Sequence, residues 1–149
     1  CRTLPRGSVS FVLRQTTNIM NASSFIYSDQ APEPVGAYPH ARRVGDLVFL
    51  SGIGSRIPGS NEIPIGIESQ TEQVIGNLKA VLASCGCTLE DVIDVTAFLV
   101  DMEGDFEGYN KIYAQHFSGI QATRTTIAIR ALPTPIAVEF KVIAAVGKV

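Results

Sequence analysis

Two side chains near the C-terminus have the types and spacing for chemistry on an acidic small molecule. Arg124 opens a β-rich run directly after Ala122-Thr123, at a strand entrance. Its planar guanidinium is the best side chain for gripping a carboxylate through two parallel hydrogen bonds. Glu139 lies fifteen residues later, on the next expected strand. If those strands pair through the Leu132-Pro133-Thr134-Pro135 turn, the two groups can approach each other. The cation would then anchor an acidic substrate while the carboxylate orients or deprotonates water, an arrangement suited to hydrolysis. The same spacing equally suits an Arg–Glu pair that only pins a hairpin.

A second concentration of functional groups is Gly36-Ala37-Tyr38-Pro39-His40-Ala41-Arg42-Arg43, although Tyr and His before a strand are commonly packing groups. Other polar positions read more plainly. Glu72, Lys79, Glu90 and Lys111 fit solvated helix faces, and Tyr109 and Tyr113 fit packing. His40 and His116 stand apart, and Cys85-Gly86-Cys87 has one residue between thiols with no second half-site, so no metal set is expected. Three cysteines cannot pair completely; they read as reduced thiols, which fits a cytoplasmic chain.

The elements that must position these groups follow from periodicity. The chain has 149 residues, 46% hydrophobic and 17% charged, enough for one domain with its own core. A net charge of −2 gives no general pull toward nucleic acid or an anionic membrane, and no apolar run approaches a membrane span. Residues 1–28 carry Arg2, Arg6 and Arg14 and no acidic residue. They read as an N-terminal extension: a transit segment, or vector-derived or upstream sequence ahead of a start at Met20. A single domain is expected over residues 29–149.

Arg42–Val44 and Leu47–Ser51 around Gly45-Asp46 predict a hairpin, and Gly52 to Gly66 a loop with a possible short strand near Ile63–Ile65. Val74, Ile75, Leu78, Val81 and Leu82 form a helical face, with Ser69 and Glu72 at capping-box spacing and Gly86 as a stop. Gly76 inside that helix reads as selected by close packing on the sheet. Val92–Val100 alternates as a strand, Asp105–Phe117 has a second helical face, and strands follow over Thr125–Ala131 and Ile136–Val146. Two helices cover only one face of such a sheet. Thr126, Ala128, Val138 and Phe140 are too apolar for a wet face, which points to oligomerisation.

Over residues 31–146 the chain resembles the Rid (YjgF) family of reactive-intermediate deaminases. The matching residues include Gly36-Ala37-Tyr38, Phe49-Leu50-Ser51-Gly52, Asn77 to Leu82, and Leu89-Glu90-Asp91-Val92. They continue through Val95 to Asp101, Tyr109 to Tyr113, and Ala122-Thr123-Arg124-Thr125-Thr126 with Leu132-Pro133 and Val138-Glu139-Phe140. Within the family, Tyr38-Pro39-His40-Ala41-Arg42-Arg43-Val44-Gly45-Asp46 looks most like the 2-aminomuconate deaminase branch.

The resemblance implies a chorismate-mutase-like α+β protomer, with two helices packed on one face of a mixed sheet. It implies a homotrimer with sites at the subunit clefts and no cofactor. Family roles fall on Arg124 as carboxylate anchor and Glu139 as the residue positioning water, with Tyr38, Ser51 and Asn110 around the substrate. Thr126 stands where many members have Cys, and Lys141 where an acidic residue is frequent. For 2-aminomuconate, with two carboxylates, a second cation is wanted. Arg42, Arg43, Arg56 and His40 are candidates, with the His40/Arg43 neighbourhood preferred. Alternatives are a broad deaminase of small 2-imino acids such as 2-aminoacrylate, or a non-enzymatic binding module. A small acidic substrate is the expected partner, with neither nucleic acid nor membrane.

Overall fold

The structure, a computed structural model, describes residues 24–147. Its strands are β1 (Phe25–Ile26), β2 (Ala41–Val44), β3 (Leu47–Leu50), β4 (Val92–Leu99), β5 (Thr123–Ala128) and β6 (Val138–Ala145). Two helices, α1 (Ile67–Ser84) and α2 (Met102–Phe117), and a 3-10 turn at Leu89–Asp91 complete the order. The six strands form one mixed sheet ordered β1-β2-β3-β6-β4-β5, in which β4 and β5 are parallel and the other neighbours antiparallel. Most of the expected N-terminal extension lies outside the described residues. Phe25–Ile26, read from sequence as part of it, is the edge strand paired with Arg42 and Ala41.

Both helices pack on one face, as expected. Val95, Ala97 and Leu99 of β4 and Val138, Phe140, Val142 and Ala144 of β6 are buried in one cluster with α1 and α2 side chains. The β2–β3 hairpin turns at Gly45, whose φ of 60° lies in the left-handed region that favours glycine. Ile63–Ile65 forms no strand. Helix α1 starts at Ile67, earlier than the capping-box reading required; Gly66 is its N-cap, with no side-chain cap. Glu72 instead meets His116 at 2.6 Å on α2. Gly86 does stop α1, and Cys87 N–H closes back on Leu82 O at 2.8 Å. Gly76 is exposed, and a Cβ built there meets nothing within 4 Å, so close packing did not select it. Helix α2 starts at Met102 because the Asp101 carboxylate accepts the Gly104 N–H at 3.1 Å.

The hairpin expected between the last two strands does not form. Strand β4 lies between them: Val95 stands opposite Arg124 on one side, and Phe98 opposite Glu139 on the other. The reason is topological. Helix α2 joins β4 to β5, and a crossover helix is what lets two consecutive strands run parallel. The chain then crosses the end of β4, held by Ile129 N–H to Leu99 O and Val100 N–H to Ala137 O.

The face expected to need covering is also carried by different residues. Val138 and Phe140 are buried beneath the helices, and Thr126 and Ala128 share their side of the sheet. The face without helices carries Leu47, Phe49 and Ile127, at 39%, 37% and 43% exposure, with half-buried Phe98 and Ile143. Among the described residues no helix is long and apolar enough to cross a membrane.

Candidate active site

Arg124 sits on the helix side of β5. Its Nη1–H donates to Asn110 Oδ1 at 2.8 Å, and its Cζ lies 4.7 Å from the Tyr113 ring centroid and 5.3 Å from that of Tyr109. Such cation–ring contacts contribute roughly 0.5–2 kcal/mol and fix the guanidinium plane. Tyr109 Oη and Thr126 Oγ1 share a hydrogen bond of 2.7 Å. Burial raises both phenols, Tyr113 to about 12 against the opposing pull of Arg124, so both stay neutral near pH 7. The Tyr113 hydroxyl is buried with no hydrogen-bond partner among the described residues. No carboxylate among them pairs with Arg124. Arg124, Asn110 and Thr126 are therefore brought together, and the two tyrosines read as packing also aim the cation.

Glu139 projects from the other face, beside Phe98 on β4. Burial raises its carboxyl above the ordinary 4.5, and it accepts no hydrogen bond from the described residues. Gly52 makes room for it: a Cβ there would lie 2.5 Å from Oε2. Past the end of β3 the chain rejoins β6 through Ile53, which exchanges hydrogen bonds of 2.8 and 2.9 Å with Phe140. A cavity of about 120 Å³ opens here, walled by Glu139, Tyr38, Gly52, Gly54, Arg56 and Thr134. An adjoining one of about 40 Å³ shares Tyr38 and Arg56 and reaches Ser51, His40 and Asn77. Lys141 shares the face with Glu139; its ammonium donates to Leu50 O, and burial lowers its pKa from 10.5.

The remaining expected residues divide. Tyr38 lines both cavities, with its Oη accepting Val35 N–H at 3.2 Å. Ser51 lines the smaller one and donates its hydroxyl to Pro39 O at 2.7 Å. His40 is buried, with Nδ1 accepting Ser28 N–H and Nε2 at 2.8 Å from Pro32 O, so both ring nitrogens are engaged. Arg43 turns to its own hairpin, donating to Gly45 O at 2.8 Å and facing Asp46 at 3.9 Å. The His40/Arg43 neighbourhood thus places no free cation in the cleft.

Two buried amides that set the cleft wall were missed. Asn77, on the core face of α1, donates to Gly54 O at 2.9 Å and Arg56 O at 2.8 Å. Gln70 Oε1 accepts from Ser55 Oγ at 2.9 Å and Ala137 N–H at 2.8 Å, tying the same loop to the start of β6. Their signal was available in sequence: polar residues one turn from Val74 and beside Leu78, on a stripe otherwise apolar. A buried amide is retained when it satisfies otherwise orphaned loop carbonyls.

One expectation fails within the single chain. Arg124 and Glu139 do not share a crevice, because β4 separates their strands and their side chains leave opposite faces of the sheet. The described residues carry two half-sites: a ring-cradled cation on α2 and β5, and a carboxyl with no partner among them in a glycine-lined cavity.

Fold and half-sites define an α+β protein that keeps a fixed guanidinium and a half-buried carboxyl apart on one sheet. A family model described as Endoribonuclease L-PSP matches residues 28–146, and the chain belongs to this family, the Rid (YjgF) family. A RutC family protein of Pyrococcus abyssi is 36% identical over 124 residues, covering 83% of this chain and 97% of the relative. Reactive Intermediate Deaminase A, chloroplastic, of Arabidopsis thaliana is 34% identical over 120 residues, 80% of this chain and 64% of that protein. The crystal structure of E. coli TdcF with bound serine superposes with a TM-score of 0.77 at 31% identity, covering 83% of this chain and 98% of that one.

Proposed function

We propose that this chain is a hydrolytic deaminase of 2-imino acids and their enamine tautomers, with 2-aminomuconate as the leading substrate. It works as a cytoplasmic homotrimer, with each site joining Arg124 and Asn110 of one copy to Tyr38, Ser51 and Glu139 of another. The observation that carries the reading is Glu139, a half-buried carboxyl left without a hydrogen bond from the described residues, beside a residue with no side chain. Such a group is set to hold a water. The separation of the half-sites, with exposed Leu47, Phe49 and Ile127 on the helix-free face, favours completion by further copies of the chain. The free Cys85 and Cys87 thiols suit a reducing compartment; burial pushes Cys85 up to about 11, so it stays protonated.

The chemistry balances with water alone. The enamine acid takes a proton at carbon and gives one up from nitrogen, becoming the 2-imine. Arg124 grips the adjacent carboxylate and so fixes the C=N carbon in one pose. Water held by Glu139 adds its oxygen to that carbon, and protons pass to nitrogen. The resulting carbinolamine loses ammonia as its C–N bond breaks, leaving the 2-oxo acid. Residues 38–46 favour 2-aminomuconate, whereas the small cavity and the serine seen in E. coli TdcF favour smaller monocarboxylic imines. Ammonia release from freshly generated 2-aminomuconate and 2-iminopropionate tests both. Release above the buffer rate is expected from at least one, and its absence from both would reject the deaminase reading.

A further inference from the structure

We infer that Arg56 is a second carboxylate anchor in the Glu139 cleft, which makes a dicarboxylic imine the preferred substrate class. This rests on the deaminase reading of that cleft and adds to it the residue that selects the substrate. The other cations nearby are committed elsewhere. Both His40 ring nitrogens are hydrogen-bonded, and Arg43 serves its own hairpin. The Arg42 guanidinium lies over the Phe25 ring at 4.7 Å, and the Lys141 ammonium is tied to Leu50 O.

Arg56 differs in position and in partners. It lines both cavities together with Tyr38 and Gly52, and Glu139 is on the wall of the larger one. Its Nη1 donates to Asn61 Oδ1 and its Nη2 to Glu33 O, each at 2.8 Å. Both acceptors are neutral, so they orient the fork without cancelling its charge. No carboxylate among the described residues pairs with it. The unused N–H groups remain available for a bidentate grip.

The backbone is also fixed. Buried Asn77 holds the Arg56 carbonyl, and Asn61 stands at φ 61° in a turn closed by hydrogen bonds between Ile57 and both Asn61 and Glu62. An asparagine tolerates that left-handed conformation better than most residues. A guanidinium held at both ends loses little freedom on binding, which favours a preorganised anion contact. A monocarboxylic imine held by Arg124 leaves this cation unmatched. A second carboxylate at the far end of the substrate matches it, and the cation offsets the negative charge that this carboxylate brings beside Glu139.

The test is calorimetric titration of wild type, Arg56→Gln and Arg56→Lys with 2-oxoglutarate and 2-oxobutyrate as probes, alongside ammonia release from the corresponding imines. Wild type should bind 2-oxoglutarate at least about tenfold tighter than 2-oxobutyrate, the gap that one charge-assisted anchor supports. Arg56→Gln should collapse that ratio to within about twofold, and Arg56→Lys should keep part of it. No preference in wild type, or an equal loss for both probes in Arg56→Gln, overturns the assignment. If Arg56→Gln does not fold, Asn61→Ala must weaken 2-oxoglutarate more than 2-oxobutyrate, or the assignment fails. A preserved preference with no ammonia from any imine leaves the anchor standing and removes the deaminase reading instead.

Discussion

Gly52→Ala isolates the role of the Glu139 carboxyl without touching the carboxyl itself. The new methyl would lie 2.5 Å from Oε2 and 2.8 Å from Cδ, closer than the 3.0 Å that real Cβ atoms respect. The carboxyl must therefore retreat by roughly half an ångström or more. The backbone at Gly52 is outside the left-handed region, so alanine fits it without strain. Among the described residues Glu139 has no hydrogen bond that the retreat would break, and an off-rotamer side chain costs about 0.5–1.5 kcal/mol. Folding stability should thus fall by no more than about 1.5 kcal/mol by urea unfolding. Activity should fall further, because a displacement near 1 Å at a reacting group costs on the order of 100-fold. A kcat for ammonia release reduced roughly 10- to 100-fold, with KM little changed because Arg124 is elsewhere, is the expected result. Both residues belong to one chain, so the displacement of the carboxyl is set within the protomer. A kcat within about twofold of wild type would show that Glu139 does not position the attacking water.

Other outcomes follow from the same geometry. Gly76→Ala should stabilise the protein by about 0.4–1 kcal/mol in thermal or urea unfolding, since the site is helical, exposed and open; destabilisation would mean a contact that the structure does not show. Because burial raises the Glu139 pKa, its protonated form is favoured in the fold: that stability is present below the unfolded value near 4.5 and is lost as pH rises through the folded value. Glu139→Gln should therefore raise the melting temperature at pH 7 and lose that advantage below about pH 4.5. Wild-type deamination should decline on acidification with a midpoint above 4.5, and a limb centred at or below that value would contradict the burial argument.

Much of this architecture was legible because it rests on local periodicity. The alternation of Val95, Ala97 and Leu99 and of Val138, Phe140, Val142 and Ala144 separated the two faces of each strand, but not which of them meets the helices: Val138 and Phe140, read as needing another chain, lie in the cluster beneath α1 and α2. What could not be read from alternation was which strands adjoin. Leu132–Pro135 resembles a hairpin turn, yet the pairing of β5 was decided by α2, whose crossover places Arg124 opposite Val95. The helix starts were misplaced because Gly66 and Asp101 act first, through a backbone break and a carboxylate cap. At the site, Arg124, Asn110 and Thr126 stand close together in the fold, whereas the sequence paired Arg124 with Glu139; the cradle of Tyr109 and Tyr113 depends on their spacing along α2 and the register of β5 together. His40 and Arg43 carry the right chemistry and the wrong surroundings: each is satisfied by nearby backbone, which no residue type announces.

Subunit complementation tests the central claim most directly. Arg124→Ala and Glu139→Gln should each be nearly inactive. If every site takes its guanidinium from one copy and its carboxyl from another, unfolding and refolding an equimolar mixture restores intact sites. With random assembly about one site in four then carries both native groups, giving roughly a quarter of wild-type activity. No recovery, in mixed oligomers shown to have formed, would contradict the account.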